Sequence, residues 1–446
     1  MIKNKVFLLL IDILSVYLAV LLAVVFRGLI HVKAVQTSSE WISAHYIIFL
    51  PSLFFSIISL YIAGLYDAKT LYDKSKVPVL LFYAQISTVL LSVIFFYLAK
   101  TDLTPKLTLF FYIIFSTTLL FISRYLYLYF VYKLPKNTAF FIIDEGNVKK
   151  EKLIANISVG FSPFFIREMS WNNFEMESIS KENFECLIFD EEDLTLQRIL
   201  IIEKLKNKGV QTYSYNQYYE FIYKKVDLEN FDFNSFIKNI SESKETYGHF
   251  VFRRSMDLFL GVLFFFFIIL YIPFVFLANL IFSRGDLFSV QDRVGLLGKR
   301  MKLFKLRTME TTDDGGLYDL KGGMMMHKLG NKVTKIGQFL RKTRLDEFTQ
   351  CINVIKGEVS IIGPRADIIG VYNDMSKKIN NFDLRLFVPQ GLTGWAQVHM
   401  NYAPKTLEQH VERFAYELYY IKHRSIFIDI SIILKTIKTL ISRTGA

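Results

Sequence analysis

The chain has 446 residues, room for two or three domains, and its 52% hydrophobic content, with 43 Phe and 25 Tyr gathered into long blocks, excludes an ordinary soluble globule. The net charge of +12 suits anionic lipid head groups and phosphorylated substrates, and no recognisable nucleic-acid module accompanies it. The two cysteines, Cys186 and Cys351, lack the spacing of a metal site, so packing roles in a reducing compartment are expected.

Apolar blocks at about 6–26, 43–65, 77–99 and 107–131 are each long enough to cross a hydrocarbon core about 30 Å thick. Residues 1–135 are therefore expected to form four transmembrane helices. The first block is followed by a second hydrophobic block and by no small-residue cleavage site, which argues against a signal peptide. Asp12, His45 and Arg124 lie in or at the edge of these spans, where partners inside the bundle or snorkelling are expected. Lys3, Lys5, Lys69, Lys74, Lys76, Lys133 and Lys136 flank one side, against Lys33, Lys100 and Lys106 on the other. That excess places the N-terminus and everything after the fourth helix in the cytoplasm.

Residues 138–247 change to a soluble α/β pattern. Residues 140–143 and 186–189 read as buried strands, 194–207 as a helix and 210–213 as a further strand, which together suggest a small Rossmann-like parallel sheet. Asp144-Glu-Gly-Asn147 follows the first strand where a dinucleotide-binding chain carries G-x-G-x-x-G, so no dinucleotide is expected here. A regulatory or oligomerising role stays open, and residues 227–247 read as a polar, aromatic linker.

A third domain, 250–446, opens with Arg253-Arg-Ser-Met-Asp257 and an apolar run over 258–282 that contains Pro273. A fifth transmembrane helix is the plain reading. Basic residues at both ends (Arg253 and Arg254 before; Arg284, Arg293, Lys299 and Arg300 after) favour instead a helix-break-helix hairpin over 253–284, re-entering the face it left and kinked at Pro273. Arg254 and Asp257 share a helical face and are expected to pair and to anchor the hairpin at head-group level. Strand, turn and strand follow at 287–291, 295–298 and 301–306, projecting Arg293, Lys305 and Arg307 as solvated charges or phosphate contacts. Residues 310–331, with Met324 to Met326, read as a mobile loop that closes over substrate.

Residues 337–365 concentrate the chemistry. A helix capped by Thr343 and stopped at Gly357 places Asp346 and Glu347 in its first turn among Arg341, Lys342 and Arg344. Thr-Arg-Leu-Asp is also an ordinary capping pattern. An ionised carboxylate among cations can attack phosphorus, a second can help hold Mg²⁺, and Arg365 after the Gly363-Pro364 turn can clamp a phosphate or stand as a surface charge. Residues 367–388 look helical. Gly391 and Gly394, three apart, let a backbone approach a nucleotide, and Trp395 can pack on a base or sit in the interface; a structural turn has the same spacing. Residues 426–441 carry Asp429, Lys435 and Lys438 at helical intervals, as an interfacial helix does.

The segments Gln291-Asp-Arg-Val-Gly295, Phe304-Lys-Leu-Arg-Thr-Met309, 340–350, Asn353-Val-Ile-Lys-Gly357, 360–365 and Gly391-Leu-Thr-Gly-Trp-Ala-Gln397 resemble, in that order, the bacterial sugar transferases that move a hexose-1-phosphate from a UDP-sugar to polyprenyl phosphate. The family usually has Pro at 349 and 366, Phe at 306, Pro directly before the glycine of the Thr-Gly-Trp segment, where Gln390 intervenes here, and Asp at 417. The resemblance implies a multi-domain membrane α plus α/β protein: a four-helix bundle, a Rossmann-like middle domain and a monotopic α+β catalytic domain on the cytoplasmic face of the bacterial inner membrane. It also implies catalysis by Asp346 and Glu347, Mg²⁺ held by the same pair, and a sugar-phosphoryl-aspartate intermediate. Substrate contacts follow at Arg293, Lys305, Arg307, Arg365, Gly391, Thr393, Gly394, Trp395 and Gln397. The implied partners are a UDP-sugar, undecaprenyl phosphate and membrane lipid, with no nucleic acid and with homo-oligomerisation open. The rival reading is a non-catalytic scaffold or sensor for polysaccharide export.

Overall fold

The computed structural model describes residues 2–30, 39–66, 76–98, 106–133, 138–142, 165–169, 184–190, 194–242, 247–282, 285–309, 333–400 and 402–442. They fall into two compact units, Met1–Tyr215 and Asn216–Ala446. The expected turn at 144–147, the loop at 310–331 and half of the lysines used for orientation (Lys33, Lys69, Lys74, Lys100 and Lys136) lie outside the described residues.

The four N-terminal apolar blocks fold as helices α1 (Ile2–Ile30), α2 (Ser39–Ile62), α3 (Lys76–Leu98) and α4 (Lys106–Lys133). By length and composition α1, α3 and α4 can each cross a membrane, as can one later helix, and residues 49–62 of α2 form a shorter apolar stretch. The chain is thus a membrane protein. Small residues on α1 (Ala19, Ala23) and branched ones (Val16, Val20) are buried against the bundle, where close backbone approach replaces a hydrophobic drive that lipid does not supply. Arg124 is paired inside the bundle: its Nη2 donates to Asp12 Oδ2 at 2.7 Å, and the Tyr66 hydroxyl donates to the same oxygen at 2.7 Å. The expected bundle partners for Asp12 and Arg124 are found, while the His45 side chain lies outside the described residues.

Next come β1 (Thr138–Ile142), β2 (Phe165–Met169), β3 (Phe184–Phe189), helix α5 (Leu196–Asn207) and β4 (Gln211–Ser214). The strands form one parallel sheet in the order β2-β1-β3-β4, with Thr138 opposite Phe165 and Cys186 opposite Gln211. Strand β2, with Arg167 and Glu168 in its middle, has no clean alternation and escapes a reading by periodicity.

The second unit begins within α6 (Tyr215–Tyr223) and continues through α7 (Phe233–Glu242). Residues 227–247, expected as a linker, are in part structural: Phe236 is buried in the main core, with Phe231 and Phe233 packed on it. Ion pairs from Glu220 to Lys422 (2.8 Å) and His423 (2.7 Å), and from Lys225 to Glu412 (2.8 Å), fasten α6 and the chain after it to this unit. The apolar run is a single helix, α8 (Tyr247–Phe282), that continues through Pro273, so the expected helix-break-helix is not found there. Arg254 and Asp257 do not take each other as hydrogen-bond partners. Arg254 donates to the carbonyls of Val354 (2.8 Å) and Ile355 (2.7 Å), and Asp257 accepts from Ser360 Oγ (3.0 Å) and the Ile361 amide (2.8 Å).

The antiparallel hairpin β5 (Phe288–Val294) and β6 (Arg300–Leu306) follows, then α9 (Lys335–Thr343), a 3₁₀ turn (Leu345–Gln350) and α10 (Cys351–Lys356). Strand β7 (Ser360–Ile362), α11 (Ile369–Lys378), a second 3₁₀ turn (Phe382–Phe387), β8 (Gly391–Thr393), α12 (Trp395–His399), α13 (Leu407–His423) and α14 (Ile426–Ser442) complete the unit. The helix expected over 367–388 is therefore two shorter pieces.

Strands β7 and β8 meet through glycines. A Cβ on Gly391 would lie 2.1 Å from Gly363 N, one on Gly363 2.1 Å from Pro389 O, and one on Gly394 2.1 Å from Gly363 O. These backbones touch with no space for a side chain, and Arg365 leaves directly from the junction through a bridge to Gly391. Substituting Gly391→Ala should therefore force the two strands apart and destabilise the unit by about 3 kcal/mol, read as a lower thermal midpoint of the purified protein in lipid. An unchanged midpoint would show that the junction yields freely.

Candidate active site

The segment that carries the two acids departs from a continuous helix. Thr334 caps α9 by accepting from the Gly337 amide at 2.9 Å, and α9 ends at Arg344, which is left-handed at φ 59°. Thr343, expected to cap the following helix, instead closes α9, its hydroxyl donating to Phe339 O at 2.8 Å. The left-handed Arg344 reverses the chain. Asp346 and Glu347 then stand in the first turn of a 3₁₀ helix with no side-chain cap, and α10 continues to Gly357 at φ 81°, the expected stop. The turn is pinned to β6: Thr349 Oγ1 donates to Phe304 O at 2.7 Å, and Asn353 Nδ2 to Lys302 O at 2.8 Å. A proline at 349 could not make the first of these bonds.

The two acids have different company. Glu347 is held by Lys305 Nζ (2.9 Å), Arg365 Nη2 (3.2 Å) and, at longer range, Arg344 Nη1 (3.9 Å). Burial opposes its charged form, but Arg365, Lys305 and Arg344 outweigh that and hold its carboxyl well below the usual range. Asp346 is 8% exposed and, among the described residues, has no ion pair. Burial and the neighbouring Glu347 push its carboxyl above the ordinary range, with Lys305 and Arg341 pulling the other way. Burial likewise lowers the Lys305 ammonium, partly offset by Glu347.

Arg365 keeps 38% of its side chain exposed while its main chain is anchored from below. Arg385, fully buried, donates to the Arg365 carbonyl (2.7 Å), to both oxygens of Glu417 (2.8 Å each) and to Asp367. Arg413 closes the network on Asp367 at 2.9 and 2.6 Å. Burial opposes a charged Asp367, and the two guanidiniums override it, holding this carboxyl far below its ordinary range. His410 beside them is pushed down to about 4 by burial and Arg413, and is neutral near pH 7. Two arginines and two acids cancel in charge, which is the condition under which such a group can be buried.

The residues singled out from sequence divide. Lys305 and Arg365 converge on Glu347, beside Asp346. Arg293 donates to Ala366 O (2.8 Å) and Gln291 (2.6 Å), bracing the chain just after Arg365, and Arg307 donates to Asn279 near the end of α8 (3.0 Å). Gly391 and Gly394 approach Gly363 of the same chain. Thr393 shares a hydrogen bond with Thr436 (2.7 Å), and Gln397 donates to Leu392 O (3.0 Å). Trp395 is buried: its indole donates to Lys224 O (2.8 Å), stacks on Tyr419 at 5.4 Å and lies under the Lys435 ammonium at 5.0 Å. Its ring is spent on the core. Asp367, Arg385 and Arg413 went unread in the sequence, and only Arg413 and Glu417, four apart on α13, leave a local trace.

Two carboxylates are available for a divalent cation, and no cluster of three or more His, Cys, Asp or Glu side chains occurs among the described residues. Mg²⁺ is commonly bound by one or two carboxylates with water and substrate phosphates completing its shell, so the unpaired Asp346 fits as a donor, whereas Glu347 is already engaged by cations.

The family model for bacterial sugar transferase matches residues 248–443. Over 165 residues the chain is 33% identical to a UDP-N-acetylgalactosamine-undecaprenyl-phosphate N-acetylgalactosaminephosphotransferase of Aeromonas hydrophila, covering 37% of each chain. Over 156 residues it is 37% identical to a UDP-glucose:undecaprenyl-phosphate glucose-1-phosphate transferase of Xanthomonas campestris pv. campestris, covering 34% of this chain and 31% of that one. The matched part is thus about a third of the length of these relatives. An uncharacterized sugar transferase of Bacillus subtilis is 32% identical over 164 residues, and there the match covers 36% of this chain and 73% of the relative. With Asp346, Glu347 and Arg365 inside the matched region, this chain belongs to the bacterial sugar transferase family.

Proposed function

We propose that the protein transfers a hexose-1-phosphate from a UDP-sugar to undecaprenyl phosphate, releasing UMP, at the cytoplasmic face of the bacterial inner membrane. The observation that carries this reading is the split between the two acids, Glu347 clamped by Lys305 and Arg365 and Asp346 beside them without an ion pair among the described residues. A carboxylate oxygen of Asp346 attacks the phosphorus that bears the sugar, and the bond from that phosphorus to the UMP oxygen breaks. UMP leaves with the electron pair, and the sugar-phosphoryl group stays on Asp346. An oxygen of undecaprenyl phosphate then attacks the same phosphorus, which frees the aspartate and forms the lipid diphosphate sugar. Lys305 and Arg365 stand where negative charge on the phosphoryl oxygens must be neutralised. Mg²⁺, held by Asp346 with water and substrate phosphates completing its shell, would supply further neutralisation of that charge.

The acceptor is a lipid, and the form of α8 supports a monotopic seat for the catalytic unit. From Arg254 to Asn279 a straight helix would extend about 37 Å, more than the hydrocarbon core of about 30 Å. Yet Arg254, Tyr271 and Asn279 all bond to the same unit, through Val354 and Ile355, Leu345, and Gly285 and Arg307. A plain span would draw that unit, with the exposed Lys299, Arg300 and Lys302, through the hydrocarbon. A helix seated along one leaflet without crossing to the other avoids this cost and keeps the site level with the head groups. The β2-β1-β3-β4 parallel order supports a Rossmann-like middle domain.

Substituting Asp346→Asn should lower UMP release from a UDP-sugar by on the order of a thousandfold while the protein still inserts and folds. Retained turnover, or UDP in place of UMP as product, would sink the reaction. A second expectation concerns pH. Asp346 must be ionised to attack, and its folded value is raised, so the acid limb of kcat/KM should lie above the ordinary aspartate range and activity should fall as pH drops through it. Substituting Glu347→Gln removes the neighbouring negative charge and frees Lys305, so the limb should move to lower pH even as the rate falls. A limb that moves upward in this variant contradicts the assignment.

A further inference from the structure

We infer that Tyr271, in the apolar part of α8, is a positioning residue that fixes the main chain carrying Asp346, so that the membrane helix itself sets the geometry of the catalytic turn. The inference rests on the reaction proposed above. The Tyr271 hydroxyl donates to the carbonyl of Leu345 at 2.8 Å, one residue before Asp346. Two helical turns earlier on α8, Phe264 stacks on Phe348 at 4.8 Å, one residue after Glu347. The acid pair is thus held on both sides by one helix.

The contacts follow a single face. Arg254, Asp257, Gly261, Phe264, Ile268 and Tyr271 are spaced three or four apart, the period of a helix seam. Ile268 is buried on this seam, whereas Phe259, Phe266 and Leu270, off it, are exposed. At Gly261 an added Cβ would lie 3.0 Å from the Ile355 side chain and 3.5 Å from Val354, so α10 sits close against the helix. The left-handed Arg344 leaves the turn without a side-chain cap of its own, and the bond from Tyr271 is the polar restraint that α8 places there. In an apolar setting that bond is not weakened by competing water. A shift of the turn by a fraction of an ångström would move the Asp346 carboxylate off its line of attack.

The test uses the full-length protein in lipid nanodiscs with undecaprenyl phosphate, offering UDP-glucose and UDP-N-acetylgalactosamine and measuring UMP. Tyr271→Phe keeps the ring and loses the hydroxyl. It should lower kcat by about tenfold with KM for the donor nearly unchanged and the thermal midpoint preserved, and it should speed amide exchange over residues 345–350 but not in α13. Placing 4-aminophenylalanine at 271 restores a donor and should recover most of the rate; this variant also decides the matter if the phenylalanine form accumulates poorly. Unchanged kcat, a rise in KM alone, unaltered exchange in the turn, or no recovery with the amino analogue would overturn the inference. If the unsubstituted protein releases no UMP, the reaction fails and the inference with it. If it releases UMP and Tyr271→Phe matches it, only the inference fails.

Discussion

Two adjacent carboxylates cannot both remain charged at low cost in a half-buried turn, and the way this chain resolves that repulsion organises the second unit. Glu347 collects Lys305 and Arg365, and the compensation leaves Asp346 without an ion pair among the described residues, beside a cationic wall. If Glu347 lacked those partners, both acids would compete for protons, and neither would serve as a dependable nucleophile. In the proposed reaction the cations have a double use, since the charges that keep Glu347 ionised also face the place it gives to the phosphoryl group.

Holding Arg365 in that place requires much of the remaining structure. Its main chain is tied to β8 through the bridge to Gly391, and its carbonyl accepts from the buried Arg385. Arg385 is tolerated at zero exposure because Asp367 and Glu417 neutralise it and because Arg413 shares the same two acids. Breaking such a group by removing one partner typically costs about 3–5 kcal/mol, far more than the group adds over a well-packed apolar equivalent. Its use is geometric. It fixes the direction of one loop, and through Arg365 the loop fixes the charge balance at Glu347.

These links explain which parts of the protein could be read in the sequence. The four apolar blocks, β1, β3, α5, the β5–β6 hairpin and α14 are local patterns of length and period, and they fold close to where those patterns lie. Strand β2 and helices α6, α7 and α13 carry mixed polar and aromatic residues whose role is set by what they meet: Phe236 turns inward only because a core is there to receive it. The acid pair and Arg365 were legible because acids among bases are unusual. The Asp367–Arg413 contact, 46 residues apart in sequence, leaves no local trace. The Gly391-Leu-Thr-Gly-Trp segment was legible as close backbone approach but not as to what is approached; glycine spacing is the same whether the neighbour is a nucleotide or Gly363.

The outer surface of α8 bears on how the turn can be held at all. Phe259, Phe266, Leu270, Phe274 and Ile281 are all exposed along one helix, a larger apolar face than a soluble protein ordinarily presents and one that suits lipid, as the proposed monotopic seat requires. Where lipid has access, one apolar side chain against another gains little over the same side chain against acyl chains, and hydrophobic burial cannot choose the register of the helix on its partner. Directional contacts have to choose it. Arg254 on two carbonyls, Asp257 on an amide and a hydroxyl, Tyr271 on Leu345 and Asn279 on Arg307 and Gly285 each admit one alignment, and they are spread along the helix from its start to its end. Sliding α8 by even one residue would rotate these groups away from their partners by about 100°. An apolar helix in an apolar solvent can therefore still locate the acid pair, because the polar side chains that bond across this contact face the same way.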